Sequence, residues 1–256
     1  MKKNNLNKIG DDKMKKRKSQ TTSFAIVISV LLIAIMGTSY SQTATTPAAG
    51  DGSLGNPYQI ATLNNLYWIT APDSIIPQPN QATRQSSHYI QTANIDASPT
   101  QNWFSDGQGG FMGWIPIFNF SGSFDGANKT ITGLYINRKT SRLGLFGTVS
   151  ESGSIKNVGL VDAEINAHTN NLMYIGSLVG FCLGKIDNSY AISEVDVTGG
   201  LRIGGLVGEL YYEGVITNSN TEGTVVAVEG NALGGLVGLN RGVIHNSHSS
   251  SNVTGG

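Results

Sequence analysis

Histidines are the residues of this 256-residue chain best suited to bind a metal or transfer a proton at neutral pH. The chain holds four of them: His88, His168, His245 and His248. Only His245 and His248 lie close together, and no carboxylate neighbours them in the sequence, so we interpret both as solvated side chains. The zinc-peptidase pattern His-Glu-x-x-His and the nucleophile elbow Gly-x-Ser-x-Gly are absent. The sequence therefore predicts no metal site, no catalytic residues and no cofactor.

Carboxylates could still act on polysaccharides, a chemistry that requires clustered carboxyl groups or a carboxylate beside an arginine or lysine. The candidates are scattered: Asp96, Asp106, Asp125, Asp162, Glu164, Asp187 and Asp196. Their spacing forms no cluster, but stacking of repeated units could bring residues of successive units together. A polysaccharide lyase or hydrolase is therefore an alternative function. Two or three carboxylates beside Arg202 or Lys185 on one outer face would favour it.

Composition excludes several classes of protein. Basic and acidic residues number 17 each, but eight basic and only two acidic residues lie in residues 1–41, which leaves residues 42–256 with a net charge of −6. An acidic mature chain disfavours nucleic acid as a partner. The 33 glycines and the low charged fraction of 13% exclude a helical bundle or a coiled coil. Cys182 is the only cysteine, so no intramolecular disulfide can form.

The first 41 residues have features of a secretory signal. A basic run ends at Lys18, and residues 24–36 are apolar apart from Ser29. Because about 20 residues are needed to span a bilayer, this stretch fits the core of a signal peptide better than a membrane anchor. We predict cleavage before Gln42, contact with the membrane only during export, and a secreted or bacterial cell-surface location. An uncleaved anchor, and translation starting at Met14, are the alternatives.

The second half of the chain repeats itself. Four copies begin with an apolar segment of the type Gly-Gly-Leu-Val-Gly and continue with Gly-x-Ile-x-Asn-Ser; they span about residues 143–174, 175–202, 203–232 and 233–256. The glycines that close the first segment are Gly147, Gly180, Gly208 and Gly238, and the asparagines are Asn157, Asn188, Asn218 and Asn246. We interpret each copy as short strands joined by turns, with these structural glycines free to adopt positive φ.

A unit this small cannot bury its own apolar face, so neighbouring copies must stack. The predicted fold is all-β, a right-handed parallel β-helix (β-solenoid) with a short N-terminal helical cap. Stacking would superpose Leu178, Leu206 and Leu236 in one interior column and Ile186, Ile216 and Ile244 in another. The asparagines would form a structural ladder of amides along one turn. A ligand-binding row of asparagines is the alternative.

The repeat unit resembles the GLUG repeat of bacterial surface proteins. The segments at residues 51–63 and 113–136 resemble the region that commonly precedes such repeats, so the resemblance covers roughly residues 50–256. Asn94 departs from it, since an aspartate is more usual there. The resemblance implies a β-helical stalk of the kind found in adhesin-like proteins and in some large secreted peptidases.

The first half is predicted to begin and cap the solenoid. Residues 42–55 are interpreted as a linker and 56–142 as the cap and first coils, with a helix at residues 61–70 that Thr62 caps. Residues 75–85 and 98–112 are predicted surface loops. The second loop holds Trp103, Phe104 and Asp106, our candidate ligand-binding residues, because loops on a rigid scaffold often carry binding sites. Alternatively, Trp103 plugs the end of the solenoid, which is the role we expect for Trp114.

These features together predict a non-catalytic, exported adhesin-like protein or adhesin stalk. Its partner would be a glycan or a host extracellular protein. A spacer without a ligand of its own is the alternative within this class. Residues 253–256 stop where the next Gly-Leu-Val-Gly would begin, so we expect further coils or domains of the same chain downstream.

Overall fold

The computed structural model describes residues 42–168 and 174–256, and these form a parallel β-solenoid, which confirms the predicted fold class. The predicted signal peptide lies outside the described residues. Within the described ranges, no helix has both the length and the apolar character needed to cross a membrane.

Two α-helices, one 3-10 helix and a series of mostly short strands make up the described chain. The helices are α1 (Leu63–Thr70), α2 (Gln81–Ser86) and the 3-10 helix Ser98–Asn102. The strands are β1 (Tyr58–Ile60), β2 (His88–Gln91), β3 (Ile95–Asp96), β4 (Ser123–Thr132), β5 (Tyr135–Asn137), β6 (Phe146–Val149), β7 (Ser154–His168), β8 (Tyr174–Ile175), β9 (Val179–Cys182), β10 (Lys185–Asp187), β11 (Tyr190–Gly204), β12 (Val207–Leu210), β13 (Val215–Thr217), β14 (Asn220–Gly234), β15 (Val237–Asn240), β16 (Val243–His245), β17 (His248–Ser249) and β18 (Asn252–Gly255).

Successive coils stack strand upon strand in parallel. The order β1-β2-β4-β7-β10-β13-β16 forms one path along the solenoid, and β6-β9-β12-β15 form a second sheet. The long strands β7, β11 and β14 continue into a further wall of the first sheet.

The predicted interior columns are present. Ile186 pairs in register with Ile216, and Ile216 with Ile244. The backbone of Leu178 donates to Leu206, which donates in turn to Leu236, at 3.1 and 3.0 Å. Ile186 and Leu206 are fully buried, and each such side chain contributes about 1.5–3 kcal/mol to folding. These columns are the main source of coil-to-coil cohesion.

The closing glycines have a different physical reason from the one predicted. None of Gly147, Gly180, Gly208 and Gly238 has positive φ. Instead, each faces atoms of a neighbouring segment at a distance that leaves no space for a side chain: a Cβ added at Gly208 would lie 2.4 Å from the backbone N of Ile175. Close packing, against neighbouring backbone at Gly180, Gly208 and Gly238 and against the Phe118 ring at Gly147, therefore requires glycine at these positions.

Helix α1 closes the N-terminal end of the core, as predicted. The Thr62 hydroxyl accepts a hydrogen bond from the backbone N of Asn65 at 3.2 Å, which is the expected N-cap. Tyr67, Trp68 and Ile69 of α1 are fully buried. Residues 42–55, which we interpreted as a linker, run against this helix, since the backbone N of Thr45 donates to Asn64 and its carbonyl accepts from the Asn65 amide, both at 3.0 Å.

The predicted loop at residues 75–85 is partly helical, because α2 begins at Gln81 within it. Asn80 caps this helix by accepting from the backbone N of Thr83 at 2.9 Å. Arg84 is fully buried and donates to the carbonyls of Ala71, Ile76 and Pro79. The buried guanidinium of Arg84 thus holds residues 71–79 together by hydrogen bonds, although the sequence of this segment shows no apolar periodicity.

Close backbone packing at the closing glycines predicts a large effect of adding a single methyl group there. We expect Gly208→Ala to lower the free energy of unfolding by about 3 kcal/mol, because the Cβ would overlap backbone atoms that cannot move independently. Gly55→Ala is the matched control, since its Cβ would have no neighbour within 4 Å. Urea unfolding followed by circular dichroism measures both. Equal stability of the two variants would contradict the packing argument.

Candidate functional site

Trp103 lies inside the molecule, not on its surface. It is 2% exposed. Its ring centroid lies 5.1 Å from that of Tyr67 and 6.1 Å from that of Trp114. Trp114 is fully buried as well, and its indole N–H donates to the carbonyl of Leu145 at 3.1 Å. The structure thus corrects the expectation that Trp103 binds a ligand and supports the alternative: Trp103 is buried against Tyr67 and Trp114 and plugs the end of the solenoid.

Phe104 and Arg138 form a fixed pair at the edge of this plug. Phe104 is half-buried with φ of 55°, and the Arg138 guanidinium lies 5.2 Å from its ring centroid. Arg138 also donates from Nε to the carbonyl of Trp114 at 2.6 Å and from Nη2 to that of Gly113 at 2.8 Å. Burial lowers the pKa of Arg138 to about 10, so the group remains charged at neutral pH.

Asp106 organises the loop that follows. Its Oδ1 accepts from the backbone N–H groups of Gln108 at 2.8 Å and Gly110 at 2.9 Å. These two hydrogen bonds hold the pKa of Asp106 below its usual value. The carboxylate is exposed and charged at neutral pH. One of its oxygens thus fixes the loop, while the other has no hydrogen-bond partner within the described chain.

A concave site lies between this loop and the segment that follows β5. We call it the cap-loop pocket; its volume is about 310 Å³ and it is lined by Ser105, Asp106, Gln108, Met112, Asn137, Arg138, Lys139 and Thr140. Such a volume lies at the small end of the range of small-molecule sites. The walls present both signs of charge together with amide and hydroxyl groups. This combination suits a hydroxyl-rich ligand. Of the three predicted ligand-binding residues, Asp106 alone lines the pocket.

The four repeat asparagines stack along one turn. All four have positive φ, between 44° and 56°. The side-chain amide of Asn188 donates to Asn157 at 2.7 Å, and that of Asn157 donates to Asp125 at 2.9 Å. The ladder is irregular at Asn218, which donates to Asp187 at 2.9 Å. The side-chain amides of these asparagines therefore form hydrogen bonds between successive coils.

Sequence reasoning missed a second ladder, formed by the serines that follow the asparagines. The hydroxyl of Ser189 accepts from the backbone N of Val158, that of Ser219 from Ser189, and that of Ser247 from Ser219, at 3.1–3.2 Å. Each hydroxyl also donates to the carbonyl two residues before it, at 2.7–2.9 Å. The repeated Asn-Ser pair was the available signal, because a serine recurring at a turn can satisfy a backbone N–H of the neighbouring coil.

Stacking does bring carboxylates of successive coils together. Glu164 and Glu194 are direct partners in the register of β7 and β11. With Asp162 they line an open groove of about 360 Å³. No arginine or lysine lines this groove, and Arg202 pairs instead with Glu209 at 2.6 Å. Among the described residues, no group of three histidines, cysteines or carboxylates could hold a metal ion.

Comparison with known families and proteins gives three findings. A family model described as the GLUG motif matches residues 199–226. Halomucin of Haloquadratum walsbyi is 35% identical over 172 residues, which are 65% of this chain but 2% of halomucin. A protein of Evansella cellulosilytica described as a Gly-rich membrane protein is 31% identical over 199 residues, 75% of this chain and 21% of that protein. The chain thus spans only a small part of these relatives.

A solved structure shares the architecture. It is a Bacteroides ovatus protein described as an immunoglobulin A1 protease, with a TM-score of 0.53 and 21% sequence identity; the match covers 80% of this chain and 69% of that one. At this identity the likeness concerns the fold alone.

Two substitutions at Asn188 separate the hydrogen bond of the ladder from the backbone conformation. We expect Asn188→Gly to cost about 1 kcal/mol through the lost amide contact with Asn157. We expect Asn188→Ala to cost about 1 kcal/mol more, since alanine is strained at positive φ. Urea unfolding gives both values, with Asn102→Ala, an exposed asparagine outside the ladder and without positive φ, as the control. Equal losses of stability in Asn188→Gly and Asn188→Ala would contradict the argument that positive φ disfavours alanine at this position.

Proposed function

We propose that this chain, a GLUG-motif repeat protein, is a non-catalytic, adhesin-like protein of the cell surface. In this proposal the β-solenoid holds the cap-loop pocket in a fixed shape, and the pocket binds a glycan or a host extracellular protein. The observation that carries the proposal is the pocket itself, a polar concavity built on the packed aromatic plug.

Rigidity of the pocket walls supports binding. Arg138 is fixed by two backbone carbonyls and the Phe104 ring, and Asp106 is fixed by two backbone N–H groups. Groups held in place before a ligand arrives lose little conformational entropy when it binds. Lys139 is exposed at the rim, where it is available to a hydroxyl or an anionic group.

Location at the cell surface is supported by the two relatives and by the N-terminal segment. One relative is named halomucin and the other is described as a Gly-rich membrane protein. The basic and apolar residues before Gln42 have the pattern of a signal peptide. We therefore place the mature chain outside the cell after cleavage before Gln42.

A stalk without a ligand of its own is the second candidate, and the regularity of the coils favours it. The asparagine and serine ladders link successive coils by contacts that any number of coils could continue. A polysaccharide-cleaving enzyme has less support, because the carboxylates of the groove at Glu164 and Glu194 have no arginine or lysine beside them among the described residues, the arrangement that would favour such an enzyme.

Retention of the purified protein on an array of glycans and extracellular-matrix proteins tests the proposal. We expect selective retention that Lys139→Gln weakens about fivefold, the effect of losing one exposed charged contact. Lys185→Gln, an equal charge change on strand β10, is the control and should leave retention unchanged. Trp103→Ala is unsuitable because Trp103 is buried in the plug. Absence of retention would leave the stalk as the function, and retention indifferent to Lys139→Gln would place binding elsewhere.

A further inference from the structure

A row of aromatic rings crosses the coils beside the sheet β6-β9-β12-β15. The ring centroids of Tyr174 and Phe181 are 5.1 Å apart, those of Phe181 and Tyr211 are 5.4 Å apart, and those of Tyr211 and Tyr212 are 4.8 Å apart. Tyr212 at the end of the row is 59% exposed, and the other three rings are partly exposed. The rings thus form a continuous aromatic strip that solvent reaches.

This strip is not part of the hydrophobic core. Val179 and Cys182, on the same strand as Phe181, are fully buried in the core cluster. Tyr174, Phe181 and Tyr211 belong neither to that cluster nor to the partly buried residues packed against it. Core packing therefore does not account for a run of large rings at these outer positions.

Three arginines lie over the same rings. The guanidinium of Arg142 is 5.3 Å from the ring of Phe181, that of Arg202 is 4.9 Å from Tyr174, and that of Arg241 is 5.7 Å from Tyr212. We call the surface formed by these three arginines and the rings of Tyr174, Phe181, Tyr211 and Tyr212 the arginine–aromatic face. Such cation–π contacts keep the charged groups ordered while their outer sides stay open.

The order of these residues follows the stacking of the coils. Tyr174 pairs in register with Arg202, and the neighbouring pair Leu143 and Ile175 places Arg142 one coil before Tyr174. Arg142, Tyr174 and Arg202 therefore form one column on three successive coils, which are about 4.8 Å apart. Arg241 extends the cationic groups to the following coil, where it lies beside Tyr211 and Tyr212.

The arginine–aromatic face has a positive local charge on an acidic chain. Glu209 is 1% exposed and pairs with Arg202 at 2.6 Å and Arg241 at 3.4 Å. Arg142 pairs with no carboxylate among the residues that the structure describes. Glu213, exposed next to Tyr212, forms no ion pair with these arginines either. Three cations against one buried anion contrast with the net charge of −6 over residues 42–256.

We propose that the arginine–aromatic face binds an anionic polysaccharide whose sugars carry carboxylates. Guanidinium groups bind carboxylates in a bidentate geometry that few other side chains match. The apolar faces of pyranose rings pack against exposed aromatic surface, of which Tyr212, 59% exposed, offers the most in this face. A polysaccharide lying across the coils would meet a cation or a ring at each coil. This site is separate from the cap-loop pocket, which shares no residue with it.

Retention of the purified protein on immobilised polygalacturonate tests the proposal, with uncharged dextran as the reference matrix. We expect retention on polygalacturonate alone, and a decrease as sodium chloride is raised, because salt screens exposed charges. Arg142→Gln should weaken binding about fivefold, since no carboxylate among the described residues neutralises the charge of Arg142. Tyr212→Ala should also weaken binding, because Tyr212 is the most exposed ring of the strip.

Lys185→Gln is the control, because it removes one exposed positive charge outside the arginine–aromatic face. This variant should leave polygalacturonate retention unchanged. Circular dichroism and thermal unfolding establish that every variant is folded. The proposal is overturned by equal retention on dextran, by no retention on either matrix, or by an equal loss in Lys185→Gln and Arg142→Gln.

Discussion

The distance between stacked coils is the constraint on which the rest of this structure depends. Parallel strands hydrogen-bond at about 4.8 Å, and at several points the backbones of neighbouring segments approach with no space for a Cβ atom. Gly208 meets the backbone N of Ile175, and Gly238 meets that of Ile203, each at 2.4 Å from the position of an added Cβ. Because glycine permits this approach, apolar side chains of successive coils superpose in register. The turn asparagines and serines then reach the coil before them.

Close stacking fixes the backbone and the apolar columns but leaves other side-chain columns variable. One column of the second sheet holds Thr148, Phe181, Glu209 and Leu239, four chemically different side chains at equivalent positions of successive coils. An interior column, by contrast, keeps the same residue type, with leucine at Leu178 and at Leu206. Thr148 and Glu209 of the variable column are buried and Phe181 is partly exposed, so chemically different side chains occupy equivalent positions on one repeated backbone. A repetitive fold thereby supports distinct surfaces.

Repetition explains what the sequence predicted correctly, and local packing explains what it did not. The spacing of Ile186, Ile216 and Ile244 repeats once per coil, so their column could be read directly. The burial of Trp103 could not, because it depends on Tyr67 and Trp114, which are distant in sequence and meet only in the folded cap. The conformation around Arg84 depends similarly on carbonyls that only the folded chain presents. For the closing glycines the residues were identified but not the reason, since sequence does not distinguish positive φ from a lack of space.

The arginine–aromatic face shows how a solenoid can concentrate like charges on one surface. Arg202 lies two coils after Arg142, a separation of about 10 Å at about 4.8 Å per coil, and Arg241 lies one coil further. These spacings are comparable with the ~8–10 Å over which charges interact at physiological salt, so the arginines would repel one another if nothing intervened. Glu209 offsets two of them from below the surface, and the π faces of Tyr174 and Phe181 stabilise the remaining guanidinium. One buried anion faces three cations, so the positive charge of the arginines is offset only in part. Outward positive charge therefore persists on a chain whose average charge is negative.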